Sequence, residues 1–166
     1  MPEKMKVTKK AIWGEICCFL LVLLFLYASV SKYLDFATFK DEMHNQPFPI
    51  WLSDFFIWTV PPLEILISLA IISHFIRAGK IRKYGLYGAL GLMSAFTLYT
   101  VLVLANTFGR VPCSCGGVIR LLNWWQHAVF NLFFVGVSLL ALRLGREPGI
   151  PESVTSYGKK NVVSTV

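Results

Sequence analysis

Residues 55–76 read FFIWTVPPLEILISLAIISHFI, with Glu64 as the lone carboxylate and no lysine or arginine in the run. A helix needs ~20 predominantly apolar residues to cross the ~30 Å hydrocarbon core of a bilayer, at ~1.5 Å per residue. This run has that length and composition. Three further charge-poor segments, residues 11–30, 84–105 and 121–142, repeat the pattern. The expected architecture is therefore all-α: a polytopic membrane protein built as a bundle of four transmembrane helices.

Composition agrees. Of 166 residues, 55% are hydrophobic and 15% charged, against about 25% charged in soluble domains. The length fits one domain, here a membrane domain over residues 11–145. A short N-terminal segment, 1–10, and a polar tail, 146–166, flank it. The first apolar run, basic at its start and ending in Ala28-Ser29-Val30-Ser31, invites comparison with a secretory leader. It is about twice as long as the ~7–15 residues of a leader's apolar region, so a retained first helix is expected.

The charge distribution speaks to topology. Twelve of the sixteen lysines and arginines flank one side of the expected bundle: Lys4, Lys6, Lys9 and Lys10, then Arg77, Lys80, Arg82 and Lys83, then Arg143, Arg146, Lys159 and Lys160. Lys32, Lys40, Arg110 and Arg120 flank the other. Cytoplasmic loops carry the basic excess. Both termini are thus expected in the cytoplasm, in a multi-pass protein of the bacterial inner membrane. The net charge of +7 is spent on this asymmetry. No basic stripe interleaved with stacking aromatics is present, which argues against nucleic acid as a partner.

The two outer loops differ. Residues 31–54 hold Phe36, Phe39, Met43 and then Pro47 and Pro49, a pattern that predicts a short amphipathic helix followed by a proline-rich turn. Residues 106–120 hold Cys113-Ser114-Cys115-Gly116-Gly117. Disulfides persist in an oxidising compartment. A bond across a Cys-x-Cys turn closes a small ring, and strained or exposed disulfides tend to be labile or catalytic. Cys113 and Cys115 are therefore the candidate redox pair, with a structural bond pinning the loop as the other reading. A zinc site is disfavoured: the two thiols and His44 fall short of four ligands. Cys17 and Cys18 lie in the inner half of the first span, where packing thiols are expected.

Polar residues inside the spans need an explanation, because an ionisable group at mid-bilayer costs ~2.5–3.5 kcal/mol or more. Glu64 falls nine residues into its run, roughly 13 Å deep. Pro61 and Pro62 precede it, and a proline pair is expected to bend the helix and open a small polar cavity there. Asn123, His127 and Asn131 are spaced i, i+4, i+8 and so share one helix face. A polar line from the thiols through His127 and Asn131 to Glu64 suits proton delivery or the polar head of a quinone. Interhelical hydrogen-bond glue is the competing reading. Glu15 is expected at the inner interface, beside Lys9 or Lys10. Gly85, Gly88 and Gly91, with Ala95, form a face of small residues on which a neighbouring helix is expected to pack closely.

The stretch Leu24 to Asp35 with Phe39, and Pro61-Pro62-Leu63-Glu64, resemble signatures of DoxX-like membrane proteins. Cys113-Ser114-Cys115-Gly116-Gly117 ahead of Trp124-Trp125-Gln126-His127 and Asn131 resembles the redox-associated branch that includes the methylamine-utilisation MauE family. The resemblance spans about residues 12 to 145. It implies a four-helix inner-membrane protein linked to periplasmic thiol–disulfide exchange or the maturation of exported proteins, with a thioredoxin-like partner. It carries no cofactor on the chain, and no amine substrate is visible in these residues. Compared with vitamin K epoxide reductase-like proteins, one outer pair is missing, so an external partner has to complete any electron circuit. The other expectation is a non-enzymatic subunit or assembly factor of a larger envelope complex.

Overall fold

A computed structural model describes residues 9–73, 79–108 and 123–144. Within them lie five helices: α1 (Lys9–Leu34), α2 (Phe36–His44), α3 (Ile50–Ile72), α4 (Gly79–Leu104) and α5 (Trp124–Leu144). No strand occurs among the described residues. α1, α3, α5 and the part of α4 from Ile81 are each long and apolar enough to cross a membrane. Their large side chains point outward: Phe19, Leu66, Leu98 and Phe133 are all more than half exposed. That exposure is ruinous in water and normal against lipid, since helices spanning a bilayer satisfy their backbone internally and turn hydrocarbon outward. The chain is a multi-pass membrane protein.

The helices outrun the apolar segments that announce them. α1 continues to Leu34 and α3 begins at Ile50, because a helix that has left hydrocarbon keeps its ladder as long as nothing breaks it. α2 occupies the expected amphipathic stretch. It lays Phe39 and Met43 against Ile57 of α3. Pro49 stands at the N-cap of α3. α3 runs unbroken through Pro61 and Pro62, although neither proline nitrogen donates, which leaves the carbonyls of Ile57 and Trp58 without helical partners.

α1 packs on α3 and α5, and α4 packs on the same two helices. α1 and α4 therefore face each other across the diagonal of a square bundle. Gly85 permits the close approach of α4 to α3: a Cβ there would lie 2.9 Å from Ala70 Cβ and 3.0 Å from the Ile71 nitrogen. A Cβ at Gly88 would meet Ile67 at 3.2 Å, whereas one at Gly91 would meet nothing within 4 Å. Two of the three glycines on the expected small-residue face thus serve packing inside the bundle.

Near the ends bearing Lys9 and Gly79 the centre is solid, filled by Leu21, Ile71, Leu86, Ala89 and Ala141. A polar tie crosses the diagonal there. Arg82 is buried and donates to Glu15 at 2.9 Å and to Cys18 Sγ at 3.2 Å. Glu15 is therefore paired with Arg82 of α4. A guanidinium offers several donors in a fixed fork, and helix packing brings it from sixty-odd residues away, which sequence neighbours cannot rival. Cys17 and Cys18 face the core, and both are free thiols.

Candidate functional site

At the α2 end the bundle centre is hollow. A cavity of about 290 Å³ lies there, walled by all five helices. Its surface is mostly apolar and aromatic, from Phe25, Phe39, Phe56, Phe96 and Phe130 among others, and a few polar groups converge on it. That combination characterises small-molecule sites, and the volume sits at the lower edge of their usual ~300–1,000 Å³.

The polar centre of the cavity is an ion pair. Lys32 Nζ donates to Glu64 Oε1 at 2.6 Å, with the Lys32 side chain 12% exposed and that of Glu64 1%. Lys32 leaves α1 near its last turn and reaches back along the bundle. A long basic side chain can lay its methylene stem on apolar surface while its charged head finds a partner. The ammonium also stands 5.9 Å from the centroid of the Phe39 ring. Beside the pair, Ser29 Oγ donates to the Pro61 carbonyl at 3.0 Å, tying α1 to α3 where the charges meet. The second carboxylate oxygen, Glu64 Oε2, is buried with no hydrogen-bond partner among the described residues. A buried acceptor of this kind carries a desolvation cost of ~1–3 kcal/mol, more when charged.

α5 brings His127 and Asn131 to the opposite wall. His127 is buried, with its ring 6.0 Å from that of Trp124. Asn131 donates to Thr100 Oγ1 of α4 at 3.2 Å. Glu64, His127 and Asn131 thus line one space. Asn123 does not join them. It stands before α5, where its Oδ1 accepts from the Gln126 nitrogen and its own nitrogen donates to Gln126 Oε1, both at 2.9 Å. This reciprocal capping box satisfies donors that the first helical turn leaves open. A residue one turn above His127 is also the one that immediately precedes the helix, and capping outcompetes the shared face.

Two wall groups were not foreseen from sequence. Lys32 reads as an outer-flank charge. The legible signal is its place two residues past the expected end of the first span, ahead of a span that carries a carboxylate. Tyr99 donates to Gln46 Oε1, and Gln46 Nε2 donates to the Glu42 carbonyl at 3.1 Å. The Tyr99 ring lies 5.2 Å from that of Phe48, 6.1 Å from Phe108 and 6.3 Å from Trp124. It therefore joins the α2 corner to the end of α4 and the start of α5. Near α2, His44 pairs with Asp54 at 2.8 Å.

Cys113 and Cys115 lie outside the described residues, as do residues 1–8 and the tail from 145. The segment carrying the thiols, 109–122, leaves from Phe108 and arrives at Asn123. No curated protein and no solved structure matches the chain. The methylamine utilisation protein MauE family matches over residues 10–144, which takes in α1 to α5 with the cavity and its ion pair. A four-helix membrane bundle matched along nearly all its length leaves one conclusion: the chain belongs to the MauE family.

Proposed function

We propose that this protein supports thiol–disulfide exchange for the maturation of exported proteins, with Cys113 and Cys115 as the exchanging pair on the outer face of a bacterial inner membrane. A thiolate of a thioredoxin-like partner attacks the Cys113–Cys115 disulfide to give a mixed disulfide, which the partner's second thiolate then resolves. One S–S bond is broken and another forms, so the partner leaves as a disulfide and Cys113 and Cys115 remain as thiols. An acceptor of two electrons and two protons then restores the pair. His127, Asn131 and Glu64 form the polar wall that handles the protons.

One observation carries the reading. Phe108 and Trp124, which bracket the thiol-bearing segment, both pack on Tyr99 of the cavity wall. The two described residues that flank the segment thus stand against the wall of a cavity holding a buried carboxylate and a buried imidazole, which supports the reading. Alkylation trapping in cells tests it. The pair should shift between oxidised and reduced forms when the periplasmic oxidoreductases are deleted, and a Cys113→Ser variant should trap a mixed disulfide. A pair that stays oxidised in every background sinks the proposal.

A second reading, a non-enzymatic subunit of an envelope complex, draws on Gly91, where an added Cβ would meet nothing within 4 Å among the described residues. It requires a stoichiometric partner after mild detergent extraction that survives loss of both thiols.

A further inference from the structure

The cavity has chemistry of its own. Lys32 and Glu64 together bring no net charge, so neither an anion nor a cation gains on entering. The site offers an ammonium donor and, on the carboxylate it pairs with, an unpartnered oxygen, Glu64 Oε2. Around them stand aromatic rings with the edges and faces that a flat ring packs against. A neutral, flat, lipid-soluble head group that accepts a hydrogen bond in one redox state and donates one in the other matches all three features.

We infer that this cavity binds the head group of a lipid-soluble quinone, with Lys32 donating to a quinone carbonyl and Glu64 Oε2 accepting from the quinol hydroxyl. The inference rests on the thiol–disulfide reading for its electron donor. Cys113 and Cys115 give up two electrons and two protons and join in one S–S bond. The quinone takes the same two electrons and two protons and becomes the quinol. Ala95 of α4 lines the cavity and is also exposed on the helix surface, so an isoprenoid tail has a small side chain to pass on its way to the lipid.

Quenching of tryptophan fluorescence by decylubiquinone, titrated into the full chain in lipid nanodiscs, tests this directly, because Trp124 lines the cavity. Wild type should show a saturable component above the linear quenching of lipid-facing tryptophans, and Trp124→Phe should lose it. Ala28→Phe, which adds bulk inside the cavity, should weaken apparent affinity at least about tenfold. The double variant Lys32→Met/Glu64→Leu keeps the site apolar and filled. It should weaken affinity by about tenfold or more, the scale of a lost charged hydrogen bond. Phe19→Leu, on the lipid face, should bind as wild type does. Absence of a saturable component in wild type, or its persistence in both Ala28→Phe and the double variant, overturns the inference. Quinone binding by a protein whose thiols never cycle overturns the thiol reading and leaves this one standing. Thiol cycling without saturable binding does the reverse.

Discussion

Glu64 is the residue on which the site turns, and its environment decides what its replacement does. A buried charge stripped of its partner is strongly destabilising, by about 3–5 kcal/mol, whereas replacing both members of a buried pair with apolar groups is often neutral or favourable. Lys32→Met alone, which leaves the carboxylate buried in an apolar wall, should lower stability by roughly that amount. Lys32→Met/Glu64→Leu should recover most of it. Reversible unfolding in mixed micelles measures both, and equal losses in the single and double variants would refute the pairing. Asn123 makes a separate case. Asn123→Ala removes a cap worth ~0.5–2 kcal/mol and should speed amide exchange in the first turn of α5, while Asn123→Asp should not. If Asn123→Ala exchanges like wild type, the cap is not what holds that turn.

Among the elements, α4 is the one whose fit is tightest and most lopsided. Its Gly85 face lies against the backbone of α3, where a Cβ meets backbone and side-chain atoms at 2.9 to 3.1 Å. Gly85→Ala forces the two helices apart and should cost ~1–3 kcal/mol, the range for overpacking. Gly91→Ala meets open space and should be neutral or stabilising by ~0.5–1 kcal/mol, because glycine in a helix carries an entropic penalty. The same unfolding assay separates them, and a ranking of Gly91→Ala below Gly85→Ala would contradict the packing described. The small-residue face was legible at the level of the helix. Which glycine touches which neighbour was not, because that depends on how α4 is rotated against α3. Arg82, three residues before Gly85, makes the same point. A charge at the start of a span reads as a flanking anchor, yet it turns inward to Glu15 and Cys18 because the square bundle brings α1 across the diagonal.

Taken whole, the molecule is a bundle solid at one end and hollow at the other, and that asymmetry has an orientation in the membrane. The basic residues cluster by Lys9, Lys83 and Arg143, near the solid end. On the positive-inside rule we propose that the solid end faces the cytoplasm and the cavity the outer leaflet. A green fluorescent reporter fused after residue 166 should fluoresce, and an alkaline phosphatase fused at the same place should be inactive. The opposite pattern inverts the topology and removes the thiols from the oxidising side. The family match over residues 10–144 describes the same body of the molecule, from α1 to α5, that holds the cavity.

Sequence by itself determined the number of spans, the amphipathic α2 and the similar level of Glu64 and Asn131 along their helices. Each follows from a local property: enough apolar residues to cross hydrocarbon, a period near four, a rise per residue that does not vary. It also singled out Cys113 and Cys115, whose spacing and glycine-rich setting are visible without a fold. Tertiary structure alone decided that Lys32 turns inward to Glu64, that Arg82 joins Glu15 to Cys18, that Asn123 caps a helix, and that the bundle is hollow around the ion pair. These are partnerships between residues distant in the chain, or choices between two local roles. In a membrane interior a charge without a partner is too costly to keep, so the partner it finds depends on which helices the bundle sets side by side.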